Sequence, residues 1–362
     1  MQKKLHVQII AEIGTGHNGD LRRAKSLVDA ACLSGADYAK FQIVYADEIL
    51  HPETGMVLLP GGPVSLYDRF RELEVPPSFF AEMSAYCSSK GIIFLCTPFG
   101  LKSASEVRAL KPSAVKIASP ELNHFPLLRE TASWGLPVIL SSGVSRLSDI
   151  EKALDATMTA KERILLHCIT SYPAPEEEYN LTVLESLSSI FGISVGVSDH
   201  SLDPVLVPVL AAACGAVMIE KHITLSRSDG GLDDPVALTP DLFKEMTASV
   251  RMTEGKTKKE IVEKMEERYG IDRIRKILGS GKKEFALSEK ANYGRTNRSI
   301  HYMKDLIAGK RVENDDIALL RTEKVLTPGL SPEFLEQVKG APLVCDVKSG
   351  DGVKWGDLIR GA

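Results

Sequence analysis

Residues 217–225 read VMIEKHITL. The run has the length and apolar content of a strand buried on both faces, yet Glu220, Lys221 and His222 sit inside it. The same conflict recurs at SVGVSDHS (194–201), where an apolar run ends in Ser198, Asp199 and His200. Burying an ionisable group is costly unless it meets a partner. Two strands that turn polar at the same end therefore point to a shared polar site beyond those ends.

Six further β-rich runs precede these two, at 7–14, 38–44, 92–99, 114–120, 137–143 and 164–173. Between the runs lie stretches such as LRRAKSLVDAACLSG and PVLVPVLAAACG, with apolar residues three and four apart and a closing glycine, the signature of amphipathic helices with C-caps. Strands alternating with helices imply a parallel sheet. Eight such units in about 225 residues fit an α/β fold of the (β/α)8 TIM-barrel type. An open doubly wound sheet is the alternative, but no GxGxxG turn follows the first strand. The connection at 45–91 is unusually long and rich in Pro and Gly, and long loops on rigid scaffolds are often functional.

Beyond residue 250 the texture changes. GKTKKEIVEKMEERYGIDRIRKILGSGKK is charged and helix-patterned and reads as a solvated linker. Residues 295–362 read as short strands with many turns, a module too small to bury much core alone, so docking on another surface is expected. The expected domains are a barrel at 1–250, a linker at 251–294 and a small β-rich domain at 295–362.

The chain has 362 residues, 44% of them hydrophobic and 25% charged, with a formal net charge of −4. These values suit a soluble globular protein and give no support to nucleic acid or a membrane surface as a partner. The N-terminal MQKKLHVQIIAEIG reads as a first strand rather than a signal peptide, and no apolar run approaches a membrane span. The six cysteines are scattered without a CxxC pair and read as small buried hydrophobes of a cytoplasmic protein.

Side chains two apart on a strand share a face. The C-terminal strand ends then present Glu12, Lys40 with Gln42, Thr97, Lys116 with Ser119 and Glu121 just beyond, Ser141, Thr170 with Tyr172, Ser198 with His200, and Glu220 with His222. In TIM barrels that end carries the active site. Each group also has a plainer reading. A histidine near a strand end can be a satisfied polar residue, but His200 and His222 on adjacent strands could share one divalent metal. Lys40 and Lys116 would be costly in a barrel mouth without an anion, for which a phosphate or carboxylate ligand is the natural partner. Glu12 is either a lysine's structural partner or a catalytic carboxylate. His17 can serve the start of the following helix, and the other histidines show no clustering.

The stretches AEIGTGHNGD, GADYAKFQ, KIASPELNH, LSSG, SYPAP, GVSDHS and IEKHITL together resemble the sialic acid synthase family, which includes bacterial N-acetylneuraminate synthases and the spore-coat polysaccharide protein E group. RSI and GDGVKWGDL in the tail resemble the antifreeze-like (SAF) domain that ends these enzymes. The resemblance implies condensation of phosphoenolpyruvate with an N-acylmannosamine-type sugar, release of phosphate, and a divalent metal, manganese first, with magnesium or cobalt as substitutes. It implies that His200 and His222 hold the metal and that Glu12 positions or deprotonates the attacking water. It assigns Lys40, Thr97, Lys116, Ser119, Ser141 and Ser198 to phosphoenolpyruvate, and Gln42, Glu121, Tyr172, Glu220, Asp233 and Arg321 to the sugar side. It also implies a domain-swapped homodimer in which Arg321 enters the partner's barrel. A 3-deoxy-octulosonate type of synthase is disfavoured by the SAF-like tail. A non-catalytic sugar-binding relative is disfavoured by Glu12, Lys40, Lys116, His200 and His222. The segment GLDDPVAL departs from the family's GPDHxAS, with Asp234 for His and Leu238 for Ser, and Thr170 stands where asparagine is found in the bacterial neuraminate enzyme.

Overall fold

The computed structural model describes residues 6–59 and 62–359. Eight parallel strands form the barrel: β1 Gln8–Gly14, β2 Tyr38–Ile43, β3 Ile93–Pro98, β4 Val115–Ile117, β5 Pro137–Ser141, β6 Glu162–Cys168, β7 Ser194–Asp199 and β8 Met218–His222. They are ordered β3-β2-β1-β8-β7-β6-β5-β4, and β3 packs beside β4 to bring the ends together. All eight runs marked in the sequence are strands of this one sheet. The fourth is short because the chain turns at Ser119–Glu121 into a 3-10 helix.

Register fixes what the strand ends share. Glu12 lies opposite His222 on one side and Lys40 on the other, and Glu220 lies opposite Ser198. The interior is therefore layered. Ile10, Tyr38, Leu95, Ile139, Leu166 and Met218 form an apolar floor, and the next inward residue on each of these strands is Glu12, Lys40, Thr97, Ser141, Cys168 or Glu220. Gly196 completes the floor on β7, where a Cβ would stand 2.2 Å from the Met218 carbonyl oxygen.

Asp199 and Lys221, one residue out of phase, face the other way. Their side chains meet at 2.7 Å, fully buried between the barrel and its helical layer. The polar groups of 194–201 and 217–225 thus divide by parity. Ser198, His200, Glu220 and His222 serve the interior, while Asp199 and Lys221 form a structural ion pair outside it. The helices begin where local chemistry dictates. Asp20, for example, caps Leu21–Leu33 by accepting the Arg22 and Arg23 amides at 2.7 and 3.2 Å. His17 accepts the Gly19 amide on Nδ1 at 3.0 Å in the turn before this helix, and its ring is buried against Phe41, Phe79 and Phe80.

The expected linker at 251–294 needs correction. Helices Lys258–Tyr269 and Ile271–Leu278 lie on the barrel, and Ile261, Met265, Ile274 and Ile277 belong to its core. Their charged faces dominate the composition, while the narrow apolar stripe does the packing. Only about residues 279–294 act as a connection.

The C-terminal module pairs β9 (Arg298–Tyr302) with β10 (Ile317–Arg321), antiparallel. Ile300, Tyr302, Leu306, Val312, Val338, Leu343 and Val353 form its own small core. It docks as expected, but on the barrel of its own chain. Asn123 clasps the Arg298 backbone with bonds of 2.8 and 3.0 Å, Thr54 donates to the Thr322 carbonyl at 3.2 Å, and Lys152 meets Glu333 at 2.8 Å. The connection is itself held against the barrel, where Asn180 bonds Gly281 and Lys282 and Glu178 accepts the Ser288 amide.

Truncating a fully buried isoleucine typically costs about 2–5 kcal/mol. Ile277→Ala should therefore lower barrel stability by that amount in chemical denaturation. A residue in a solvated linker would change it by less than about 0.5 kcal/mol.

Candidate active site

A cavity of about 290 Å³ opens at the C-terminal ends of the strands. Its floor is a chain of buried charges. The Lys40 amine donates to Glu12 Oε2 and lies 3.2 Å from Glu220. Lys116 Nζ lies 3.7 Å from the other oxygen of Glu220 and donates to Ser141 Oγ at 2.6 Å. Gln42 donates to Glu12 Oε1 at 2.8 Å, and Ser198 donates to Glu220 Oε1 at 2.8 Å. Gly14 makes room for this carboxylate. Its φ is +56°, and a Cβ there would lie 2.9 Å from Glu12 Oε1.

These contacts set the charges. Burial pushes the Glu12 carboxyl up to about 6, Lys40 pulling against it and Glu220 adding to the rise. Burial acts the same way on Glu220, but there the positive charges of Lys116 and Lys40 win and hold it down at about 2. Glu220 is thus the permanent anion between two ammonium groups, and Glu12 is a carboxylate that can exchange a proton near neutrality.

Two imidazoles face the cavity above this floor, with ring centres 5.6 Å apart. His200 Nδ1 lies 2.7 Å from the Ile169 carbonyl, so it donates its proton there and turns Nε2 to the cavity. Tyr172 stacks on His200 at 4.2 Å and places its hydroxyl 3.1 Å from Nε2. Burial opposes charge on His200, but the Cys168 sulfur, 3.9 Å away, raises it to about 9. Burial lowers His222 to about 4, so that ring is neutral, and its Nδ1 lies 3.8 Å from Asp233.

The module supplies the lid. Glu121 Oε1 accepts from Arg298 at 2.9 Å and from Arg321 at 2.8 Å. Arg298 also donates to the Phe99 carbonyl at 2.7 Å, while Arg321 extends into the cavity mouth.

Fourteen residues expected at the site line the cavity: Glu12, Lys40, Gln42, Lys116, Ser119, Ser141, Thr170, Tyr172, Ser198, His200, Glu220, His222, Asp233 and Arg321. Two do not. Thr97 lies fully buried in the wall, its hydroxyl without a partner among the described residues. Glu121 is also fully buried and anchors two arginines, so it acts on the mouth through Arg321 and is not itself exposed to a sugar. Thr15, Phe70, Leu73, Cys168, Leu232 and Thr296 line the cavity without having been expected. Cys168 had a visible signal, its two-residue spacing to Thr170. Phe70 and Leu73 arrive from the long 45–91 connection, and nothing in the sequence fixes where that excursion lands. The unusual Asp234 points away from the cavity, accepting the Gly231 amide at 2.7 Å and lying 3.6 Å from Arg23.

Residues 27–261 match the model of the NeuB family, and residues 297–359 match the SAF domain. The spore coat polysaccharide biosynthesis protein SpsE of Bacillus subtilis is 35% identical over 99% of this chain and 95% of its own length. The N,N'-diacetyllegionaminic acid synthase of Legionella pneumophila is 32% identical over 96% of this chain and 93% of its own. The crystal structure of the Bacillus subtilis SpsE superposes with a TM-score of 0.83 at 33% identity, covering 99% of this chain and 96% of that one.

Removing one partner from a buried ion pair strands the other charge and costs about 3–5 kcal/mol. Glu121→Ala leaves Arg298 and Arg321 without their shared carboxylate and should destabilise the folded chain by that amount in denaturant titration. Thr97→Val, which removes an unpaired buried hydroxyl at nearly constant shape, should leave stability unchanged or raise it.

Proposed function

The chain belongs to the NeuB family and ends in a SAF domain, and from that premise we propose that it condenses phosphoenolpyruvate with an N-acylmannosamine-type aldose to a nonulosonic acid. Phosphate is released, and the product serves surface or spore-coat polysaccharide. The observation that carries this reading is the cavity floor, where Lys40 and Lys116 flank an ionised Glu220 beside a proton-exchanging Glu12. Two ammonium groups at that depth suit the phosphate and carboxylate of phosphoenolpyruvate, with Ser119, Ser141 and Ser198 as neutral donors around them.

The reaction joins C3 of phosphoenolpyruvate to the aldehyde carbon of the open-chain sugar, whose oxygen takes up a proton and becomes a hydroxyl. Positive charge then develops at C2, water adds there, and the C–O bond to phosphate breaks. Glu12 takes the proton of that water. Lys40 and Gln42, each on a different oxygen of Glu12, fix the carboxylate's orientation. Tyr172, Asp233 and Arg321 surround the acceptor, and the docked module restricts solvent access.

The residues present fit a divalent cation. Anchoring of His200 Nδ1 leaves Nε2 free to ligate once its proton is displaced. His222 is neutral, and the Asp233 carboxylate lies 3.8 Å from its Nδ1. Among the described residues no group of three or more His, Cys, Asp or Glu side chains forms a closed metal site, so water and substrate oxygens would complete the shell. Bound there, the ion supplies Lewis-acid polarisation of the aldehyde. Manganese is the first expectation, and magnesium or cobalt are compatible with the same ligands. Among the described residues no helix is long and apolar enough to cross a membrane. We place the reaction in the cytoplasm.

The mouth also bears on the acceptor. Glu121 is shared by Arg298 and Arg321, the negative charge of Asp233 balances the positive charge left over, and Phe70, Leu73 and Leu232 are apolar. That environment favours an uncharged acylamino sugar over a phosphorylated one.

Phosphate release from phosphoenolpyruvate should therefore require acceptor and Mn²⁺. It should cease on chelation, and it should be faster with N-acetylmannosamine or a deoxy-diacetamido analogue than with N-acetylmannosamine 6-phosphate. Release with none of these would remove the proposal. The pH dependence follows from Glu12. A base raised to about 6 is active when deprotonated, so kcat/KM should fall as pH drops through about 6 and level off above it. Glu12→Gln should abolish turnover while the protein still binds phosphoenolpyruvate in a titration.

A further inference from the structure

A second cavity, of about 260 Å³, lies outside the barrel mouth. Its inner wall is the outer face of β6, where His167 points away from the interior that Cys168 faces. Its roof is the connection between barrel and module, carrying Lys283 and Phe285, with Asn180 and Val183 at the side. None of these residues takes part in the chemistry above.

Two polar atoms in this cavity are buried and have no partner among the described residues, Lys283 Nζ and His167 Nδ1. Native proteins rarely leave such atoms unsatisfied, and an uncompensated buried ammonium is among the costliest cases. Their roles can be assigned. His167 Nε2 lies 2.8 Å from the Tyr179 carbonyl, so it carries the proton and donates. Nδ1 is therefore a lone pair in search of a donor. Burial and the nearby Lys283 hold the ring neutral, well below the ordinary histidine range. Lys283 needs an acceptor. Four carboxylates also line the cavity, Glu177, Glu178, Glu284 and Glu289, and none pairs with Lys283: Glu289 Oε2 accepts the Val144 and Thr170 amides at 3.1 and 2.8 Å, Glu178 accepts from the Ser288 hydroxyl at 2.7 Å, and Glu177 lies 3.6 Å from Lys276.

We propose that this cavity binds a small oxyanion that also carries a hydroxyl, hydrogen phosphate being the simplest, between Lys283 and His167. One oxygen accepts from the ammonium, and the hydroxyl donates to Nδ1. Sulfate, which has no hydroxyl at neutral pH, meets only half of the site. The assignment does not depend on the proposed reaction. It does connect to the mouth, because Glu289 on the roof segment holds the amide of Thr170, a residue of the catalytic cavity.

The test compares the full chain with Lys283→Met by calorimetric titration with inorganic phosphate. Any phosphate taken up by the catalytic cavity is common to both chains. The wild type should show a site that the variant lacks or binds at least about tenfold more weakly, the scale of a lost charged hydrogen bond, and sulfate should not compete for it. Melting curves separate ligand binding from a structural role. In phosphate-free buffer Lys283→Met should melt at or above the wild type, since it removes an unpaired buried charge. Added phosphate should then raise the Tm of the wild type more than that of the variant. Matching isotherms for the two chains, equal binding of sulfate, or a variant that melts well below the wild type without phosphate would each overturn the proposal.

Discussion

Four buried ionised side chains share the end of the barrel, and each is tolerable only because the next is there. Glu12 needs Lys40, Lys40 needs Glu220, and Glu220 needs Lys116. Alone, any of them would be discharged by desolvation. Together they hold two cations and a fixed anion at the bottom of a cleft. The apolar floor beneath them excludes solvent and raises the effective strength of every contact above it. The same burial that makes the chain costly gives Glu12 a proton affinity near neutrality. The site's capacity for acid–base work and its electrostatic strain therefore have one origin.

A second buried carboxylate governs how the cavity is closed. Glu121 leaves the barrel on the short turn after β4 and meets two guanidinium groups from the module, Arg298 fully buried and Arg321 at the mouth. Arg298 locks the module to the barrel through carbonyls of Phe99, Glu48 and Ile49 as well. Arg321 can be held in the cavity only because its neighbour already anchors the strand. Stability of docking and geometry of the mouth are thus two readings of one three-residue contact, supported by the Asn123 clasp beside it.

Segment 258–278 shows how composition can mislead. Its helices are crowded with lysine, arginine and glutamate, which suggests a solvated linker. Yet Ile261 with Met265, and Ile274 with Ile277, fall four and three residues apart and reach the barrel core. A stripe that narrow is enough to fix a helix when the opposite face is charged. Because these helices stay on the barrel, the module begins its path close to its own mouth, and its docking within the chain follows.

The sequence by itself determined the barrel and most of its rim. Strand periodicity assigns every second residue to the interior, so Glu12, Lys40, Lys116, Ser198, His200, Glu220 and His222 were legible as a set from spacing alone, and the quoted motifs placed them in a known family. Periodicity acts within one strand, and it says nothing of what crosses between distant segments. Only the tertiary structure decided that Thr97 is sealed off from the cavity, that Glu121 binds arginines in place of ligand, that Phe70 and Leu73 swing in from a long excursion, and that Lys283 comes to rest opposite His167 without a partner among the described residues. Each of those outcomes depends on which remote groups meet once solvent is excluded, and a buried charge takes its role from its partner, not from its position in the chain.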